Sequence, residues 1–136
     1  MQIGSQKNPY TDFTLAPYPK GAIPLTASSG NVANSAATAT LTSVPGKTTY
    51  ITGFQITGTG ATVALAVTPT VVGTLGGTLS YTSAAIAGVL LLNQPLIINY
   101  NPAIPASAYD VDIVVSCPAL GLGATNNTVV AHGYQL

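Results

Sequence analysis

Residues 109–117 read Tyr-Asp-Val-Asp-Ile-Val-Val-Ser-Cys, and Pro118 closes the run. Successive side chains of an extended chain point to opposite faces. Tyr109, Val111, Ile113, Val115 and Cys117 therefore share one face, and Asp110, Asp112, Val114 and Ser116 the other. An apolar face backed by a mixed one predicts a half-buried β-strand. The same two-residue period recurs on both sides of this run. Ala37–Ser43 reads ATATLTS, followed by the Pro45-Gly46 turn signal. Over Thr48–Thr57 the alternation puts Tyr50, Phe54 and Ile56 on one face and Thr49, Gln55 and Thr57 on the other. Val63, Leu65 and Val67 alternate with Ala64, Ala66 and Thr68 until Pro69 interrupts, the mark of an edge or a bulge. Leu79 and Tyr81 follow a Gly76-Gly77 turn. Val89–Leu92 and Leu96–Tyr100 flank Asn93-Gln94-Pro95, and Thr128–Tyr134 forms the last run.

About eight short strands, spaced roughly ten residues apart and with no capped helical segment, predict an all-β fold. The expected architecture is an antiparallel β-sandwich, jelly-roll-like in topology, with an extended N-terminal arm. Nineteen Thr suit strand faces that are half exposed, because Thr is β-branched yet polar. At 136 residues the chain is one domain in length. Residues 1–33 stand apart as an arm or lead-in, and residues 34–136 as the sandwich. The arm carries Pro9, Pro17 and Pro24 without sustained alternation, yet it is rich in aromatics: Tyr10, Phe13 and Tyr18. Such side chains seek burial, on the domain's own body or on a neighbour. They are the candidate partner-contact residues.

Only six side chains are charged: Lys7, Lys20, Lys47, Asp12, Asp110 and Asp112. The charged fraction is 4%, against about 25% in an ordinary domain, and the net charge is zero. Three Lys cannot neutralise a phosphate backbone, which argues against nucleic acid as a partner. No polybasic segment draws the chain to anionic lipid. The apolar run Ala84–Leu92 is nine residues long, too short for a bilayer that needs about 20, and reads as a buried strand. The opening MQIGSQKNPYTDF lacks the basic-then-apolar pattern of a secretory signal. A neutral surface resists self-association poorly, so this composition points toward assembly.

Candidate chemistry is sparse. His132 could complete a Ser-His-Asp triad with Asp110 or Asp112, but no GxSxG elbow supplies the nucleophile. Asp110 and Asp112, two apart on a strand, would present both carboxylates to one face. Ca²⁺ needs six to eight oxygens, and no Asp- or Asn-rich loop adds them. One Cys and one His cannot build a transition-metal site. Cys117, ending an apolar alternation, reads as a small core residue. Asn126-Asn127-Thr128 matches a glycosylation sequon but reads as a polar turn. The sequence thus predicts no catalytic residue, no metal and no cofactor. A threonine ladder at Thr38-x-Thr40-x-Thr42 would suit an ice- or surface-binding face, but lacks regular repetition.

Three stretches carry a resemblance: GKTTYITGFQITGTGAT (Gly46–Thr62), PLIINYNPAIPAS (Pro95–Ser107) and NNTVVAHGYQL (Asn126–Leu136). Together they resemble the capsid decoration, or cement, proteins of tailed bacteriophages, over roughly residues 26–136. The resemblance implies a jelly-roll-like sandwich that performs no reaction. It implies a protein made in the bacterial cytoplasm that binds the outer surface of the phage capsid as a homotrimer. There it would clamp neighbouring major capsid subunits. The alternative within the same setting is another virion part, a head fibre base or tail knob with a receptor-binding role.

Overall fold

The computed structural model describes residues 18–88 and 95–136. Ten strands and no helix occur among them: β1 (Ile23–Ser28), β2 (Ala37–Leu41), β3 (Thr49–Thr59), β4 (Leu65–Val67), β5 (Thr70–Thr74), β6 (Gly77–Ser80), β7 (Ser83–Ala85), β8 (Leu96–Pro105), β9 (Ile113–Cys117) and β10 (Asn126–Gln135). They form two four-stranded antiparallel sheets, β1-β10-β3-β8 and β2-β9-β5-β6, and a small β4-β7 ribbon. The fold is the all-β antiparallel sandwich that the alternation predicts. Its pairing is nested: β5 with β6, β4 with β7, β3 with β8, β2 with β9 and β1 with β10, each pair enclosing the one before. The pairings β10–β3 and β9–β5 then join the nested pairs into sheets.

The inner faces supply the core. Phe54, Leu41, Ile51, Ile113, Val71, Val115 and Val129 are fully buried between the sheets. Small residues set how closely the layers approach. Ala37 and Ala39 of β2 and Ala131 of β10 are fully covered, and the space beside Gly133 is occupied by Leu41, whose Cδ1 lies 3.0 Å from where a Cβ would sit. At the open side of the sandwich, the Tyr81 and Tyr100 hydroxyls are hydrogen-bonded at 2.6 Å, and both rings pack on Phe54. That contact fastens the β8 edge of one sheet to the end of β6 in the other. Burial and the Tyr81 hydroxyl together push the Tyr100 phenol well above its ordinary range.

Several expectations are corrected. Tyr50 does not share a face with Phe54 and Ile56. His132 pairs with Gly53 but Gly133 with Ile51, so Thr52 is an extra residue. That bulge shifts the alternation by one. Thr49 and Ile51 consequently face the core, and Tyr50 faces outward, stacked on Tyr134 at 4.8 Å. The run 109–117 is strand only from Ile113: Asp110 adopts φ 61°, a left-handed conformation that ends extension, and Tyr109 is 68% exposed. Ile113, Val115 and Cys117 do face the core.

β1 lies within the segment 1–33 that the sequence sets apart as an arm. Ile23–Ser28 pairs along β10, and Val32 bridges Asn127, so the sandwich begins by Ile23. The apolar run Ala84–Leu92 contributes only Ser83–Ala85 to a strand; Ala85 is buried and Ile86 exposed, while Val89–Leu92 lie outside the described residues. Asn127, read as part of a turn, is a buried residue of β10. Its Nδ2 donates to the carbonyls of Ser35 and Pro118, tying two loops to the sheet.

Edge strands normally carry charge to discourage pairing with other chains. In the first sheet both edge strands carry proline: Pro24 lies in β1, and Pro102 and Pro105 in β8. At Gly133 a Cβ would overlap the Tyr50 carbonyl, a backbone atom that cannot yield. Gly133→Ala is expected to lower stability by about 1–3 kcal/mol, read as a reduced urea midpoint with an unchanged slope.

Candidate interaction surface

The register assigns every loop to one of two poles. Leu41, Thr49, Pro105, Ile113 and Gln135 end or begin their strands at one pole, beside the start of β1. All four described charges are there. Lys20 sits in the turn before Ile23, which the Ala22 N–H closes by donating to the Pro19 carbonyl. Lys47 lies in the β2–β3 loop, next to Thr48, which exchanges hydrogen bonds with Leu136. Asp110 and Asp112 lie between β8 and β9.

The two carboxylates act structurally. The Gly46 N–H donates to Asp110 Oδ1 at 2.8 Å, and the Ser43 N–H donates to Asp112 Oδ1 at 2.7 Å. They pin opposite ends of the β2–β3 loop, whose own turn closes through Lys47 N–H to the Val44 carbonyl. Both remain exposed, but they lie in the loop before β9 and not on one face of a strand as the alternation predicts. The Ser43 backbone N–H holds the Asp112 carboxyl below its usual range.

The opposite pole gathers the β1–β2, β3–β4 and β9–β10 loops and the exit of β7. Among the described residues it is uncharged: the sequence has no charge from Thr48 to Tyr109 or from Ile113 to Leu136. At its tip the Leu122 carbonyl accepts from both the Thr62 N–H (2.9 Å) and the Thr62 hydroxyl (3.0 Å). The Gly88 N–H donates to the Ala61 carbonyl at 2.7 Å, holding the end of β7 against the same loop. Val63, Leu65, Ile86 and Leu122 stand exposed on this framework.

Of the candidate contact residues, Tyr10 and Phe13 lie outside the described residues. Tyr18 sits at the charged pole, its ring edge-on to Tyr134 at 5.6 Å. Tyr134 faces outward from its sheet yet is only 7% exposed, covered by Tyr18 and Tyr50. The structure does not bring the paper triad together: His132 pairs with Gly53 and Thr26 in mid-sheet, whereas Asp110 and Asp112 are at the charged pole. Among the described residues no group of three or more His, Cys, Asp or Glu converges. Thr38, Ser116, Thr70 and Ser80 form one hydroxyl row across the second sheet, but the adjacent row contains Val114 and Val72.

A cavity of about 40 Å³ lies between the β4-β7 ribbon and the main sandwich. Apolar side chains including Ile56, Val67, Leu96 and Leu120 line it, with Cys117 at its wall. Burial pushes the Cys117 thiol up to about 11, against a smaller opposing effect of the Asn127 amide. A thiolate nucleophile near neutrality is therefore not available at this position.

The three stretches Gly46–Thr62, Pro95–Ser107 and Asn126–Leu136 contain β3, β8 and β10, adjacent strands of a single sheet. The chain matches no protein-family model, no curated protein and no solved structure.

Two outcomes follow from these geometries. The Asp112 carboxyl is depressed in the folded state, so its contribution is present above the unfolded value of about 4 and lost as pH falls through the lower folded value. Asp112→Ala should melt below the parent near neutrality, and the gap should close as both are acidified through that window. Cys117 should resist a thiol-reactive dye at about pH 8 in the native protein and label fully in denaturant.

Proposed function

We propose that the chain is a structural virion protein: it binds the outer surface of a phage capsid, cements neighbouring major capsid subunits as a homotrimer, and catalyses no reaction. The observation that carries the reading is a sandwich whose four described charges lie at one pole, with both aspartates hydrogen-bonded to the β2–β3 loop. We read the nested connectivity, with the β4-β7 ribbon set aside, as a jelly roll, the double-sheet architecture found in capsid and lectin domains. The resemblance of the β3, β8 and β10 stretches to phage decoration proteins supplies the partner. A surface with so few charges favours contacts built on apolar burial and backbone hydrogen bonds.

Mass spectrometry and reconstruction of the particles that the encoding phage assembles test this directly. Copies on the order of hundreds on the shell exterior fit a symmetric capsid lattice. A few copies at the tail would favour the fibre-base or tail-knob reading, and absence from particles would reject both. Because β1 begins at Ile23 and Tyr18 packs on Tyr134, removing residues 1–17 takes Tyr10 and Phe13 without cutting the sheet. That deletion should lower capsid occupancy while shifting Tm by no more than about 3 °C; unchanged occupancy would exclude the arm from attachment.

A further inference from the structure

We infer that the β4-β7 ribbon is a strap that lifts off the sandwich by itself, opening the cavity beneath it while both main sheets stay closed. This goes beyond the capsid reading and does not depend on it. The connectivity allows the motion. The chain leaves β3 of the first sheet and reaches β5 of the second through β4, and it returns from β6 to β8 through β7. The ribbon is therefore the crossing between the sheets and a member of neither. Among the described residues its strands pair only with each other, at Leu65–Ala85, Ala66–Ala84 and Val67–Ser83. Lifting it breaks no ladder of the sandwich. A two-stranded ribbon is marginal in isolation, so its position depends on what it rests against.

That support is slight. Val67 and Ala85 are the ribbon's buried side chains, and the cavity of about 40 Å³ is lined by both. Atoms that border a void lack the dispersion contacts that a filled core supplies. The second-sheet end is anchored: Pro69 is fully buried, and its carbonyl accepts from the Tyr81 N–H at 2.9 Å, next to the Tyr81–Tyr100 hydroxyl pair. The first-sheet end turns at Gly60 and Gly88, both at φ 97°, a region that glycine enters without steric cost. Between these ends the strap is latched from outside. Thr62 gives its N–H and its hydroxyl to the Leu122 carbonyl of the β9–β10 loop, and Thr62 is exposed, so water competes for both bonds. A segment with few buried apolar contacts and solvent-facing hydrogen bonds opens at a lower free energy than the whole domain. Opening uncovers Ile56, Leu96 and Leu120 and admits solvent to Cys117 at the cavity wall. The strap thus keeps an apolar slot between the sheets shut and can release it without unfolding the sandwich.

The probe is Cys117, the only cysteine of the chain. The purified full chain is treated at about pH 8 with methyl methanethiosulfonate, a reagent far smaller than an aromatic dye, and modification is followed by mass spectrometry across low urea. Modification should be at least about tenfold slower than in the denatured chain, yet at least about tenfold faster than the global unfolding equilibrium allows. Its rate should be nearly flat in low urea, because lifting the strap exposes little surface. Thr62→Val removes the latch hydroxyl and keeps the side chain's shape. It should raise the rate about threefold to tenfold with the circular dichroism of the parent. Thr38→Val, which removes an exposed hydroxyl contact to Ser116 on the outer face of the second sheet, should leave the rate unchanged. Modification that follows the urea dependence of global unfolding would overturn the inference. So would modification as fast as in the denatured chain, which would mean that the cavity stands open, or an equal response to Thr62→Val and Thr38→Val. The wild-type urea dependence decides the matter even where Thr62→Val fails to fold.

Discussion

The antiparallel pairing of β3 with β10 is the contact on which the rest of the sandwich depends. It occupies the middle of the first sheet, where it joins the β1–β10 pair to the β3–β8 pair. Its inner face supplies Ile51, Phe54, Val129 and Ala131, against which β2 and β9 pack. The pairing is not regular. The Thr52 bulge lets Thr49 and Ile51 face inward at one end and Phe54 and Ile56 at the other. Without it, the side chains at one end would project to the wrong face. Glycine at 133 removes the side chain that would otherwise collide with the Tyr50 carbonyl at this point.

Much of the architecture is legible in the sequence, and the failures have physical causes. The inward face of β9 follows directly from period two at Ile113, Val115 and Cys117. Extension of the same pattern back to Tyr109 fails because Asp110 turns left-handed, which Asp tolerates better than most residues. The face of Tyr50 is misread because alternation assumes an unbroken strand; Gly53, a glycine within a strand pattern, is the signal that marks a bulge there. β1 escapes notice because Pro24 and small side chains blur its alternation, which is what an edge strand allows. The aspartates are misread as strand residues, because their partners at Ser43 and Gly46 are distant in sequence. The division into a charged and a neutral pole is likewise invisible until the register brings Lys20, Lys47, Asp110 and Asp112 to one end.

Charge scarcity has a different meaning once those positions are known. The two described aspartates, though exposed, also hold a loop through backbone N–H donors. Stability rests on apolar burial, on the strand ladders, and on a few buried polar residues such as Asn127 and Gln135, whose amides bind loop carbonyls. Interactions of that kind are little affected by ionic strength, unlike surface ion pairs. At the two edges of the first sheet, proline in β1 and β8 takes the protective role usually given to lysine.

Nesting also orders the assembly of the fold. The innermost pair joins Thr70 to Ser80, whereas the outermost joins Ile23 to Gln135. Closing a long loop costs more chain entropy than closing a short one, and each inner pair shortens the loop that the next must close. The economical route therefore runs outward from the β5–β6 hairpin. β1, whose partner lies at the far end of the sequence, docks late, along the already formed edge of β10. The segment that leads from the arm into the sandwich is thus the last to be committed, and the high contact order of the whole arrangement sets a slow folding time for a domain of this size.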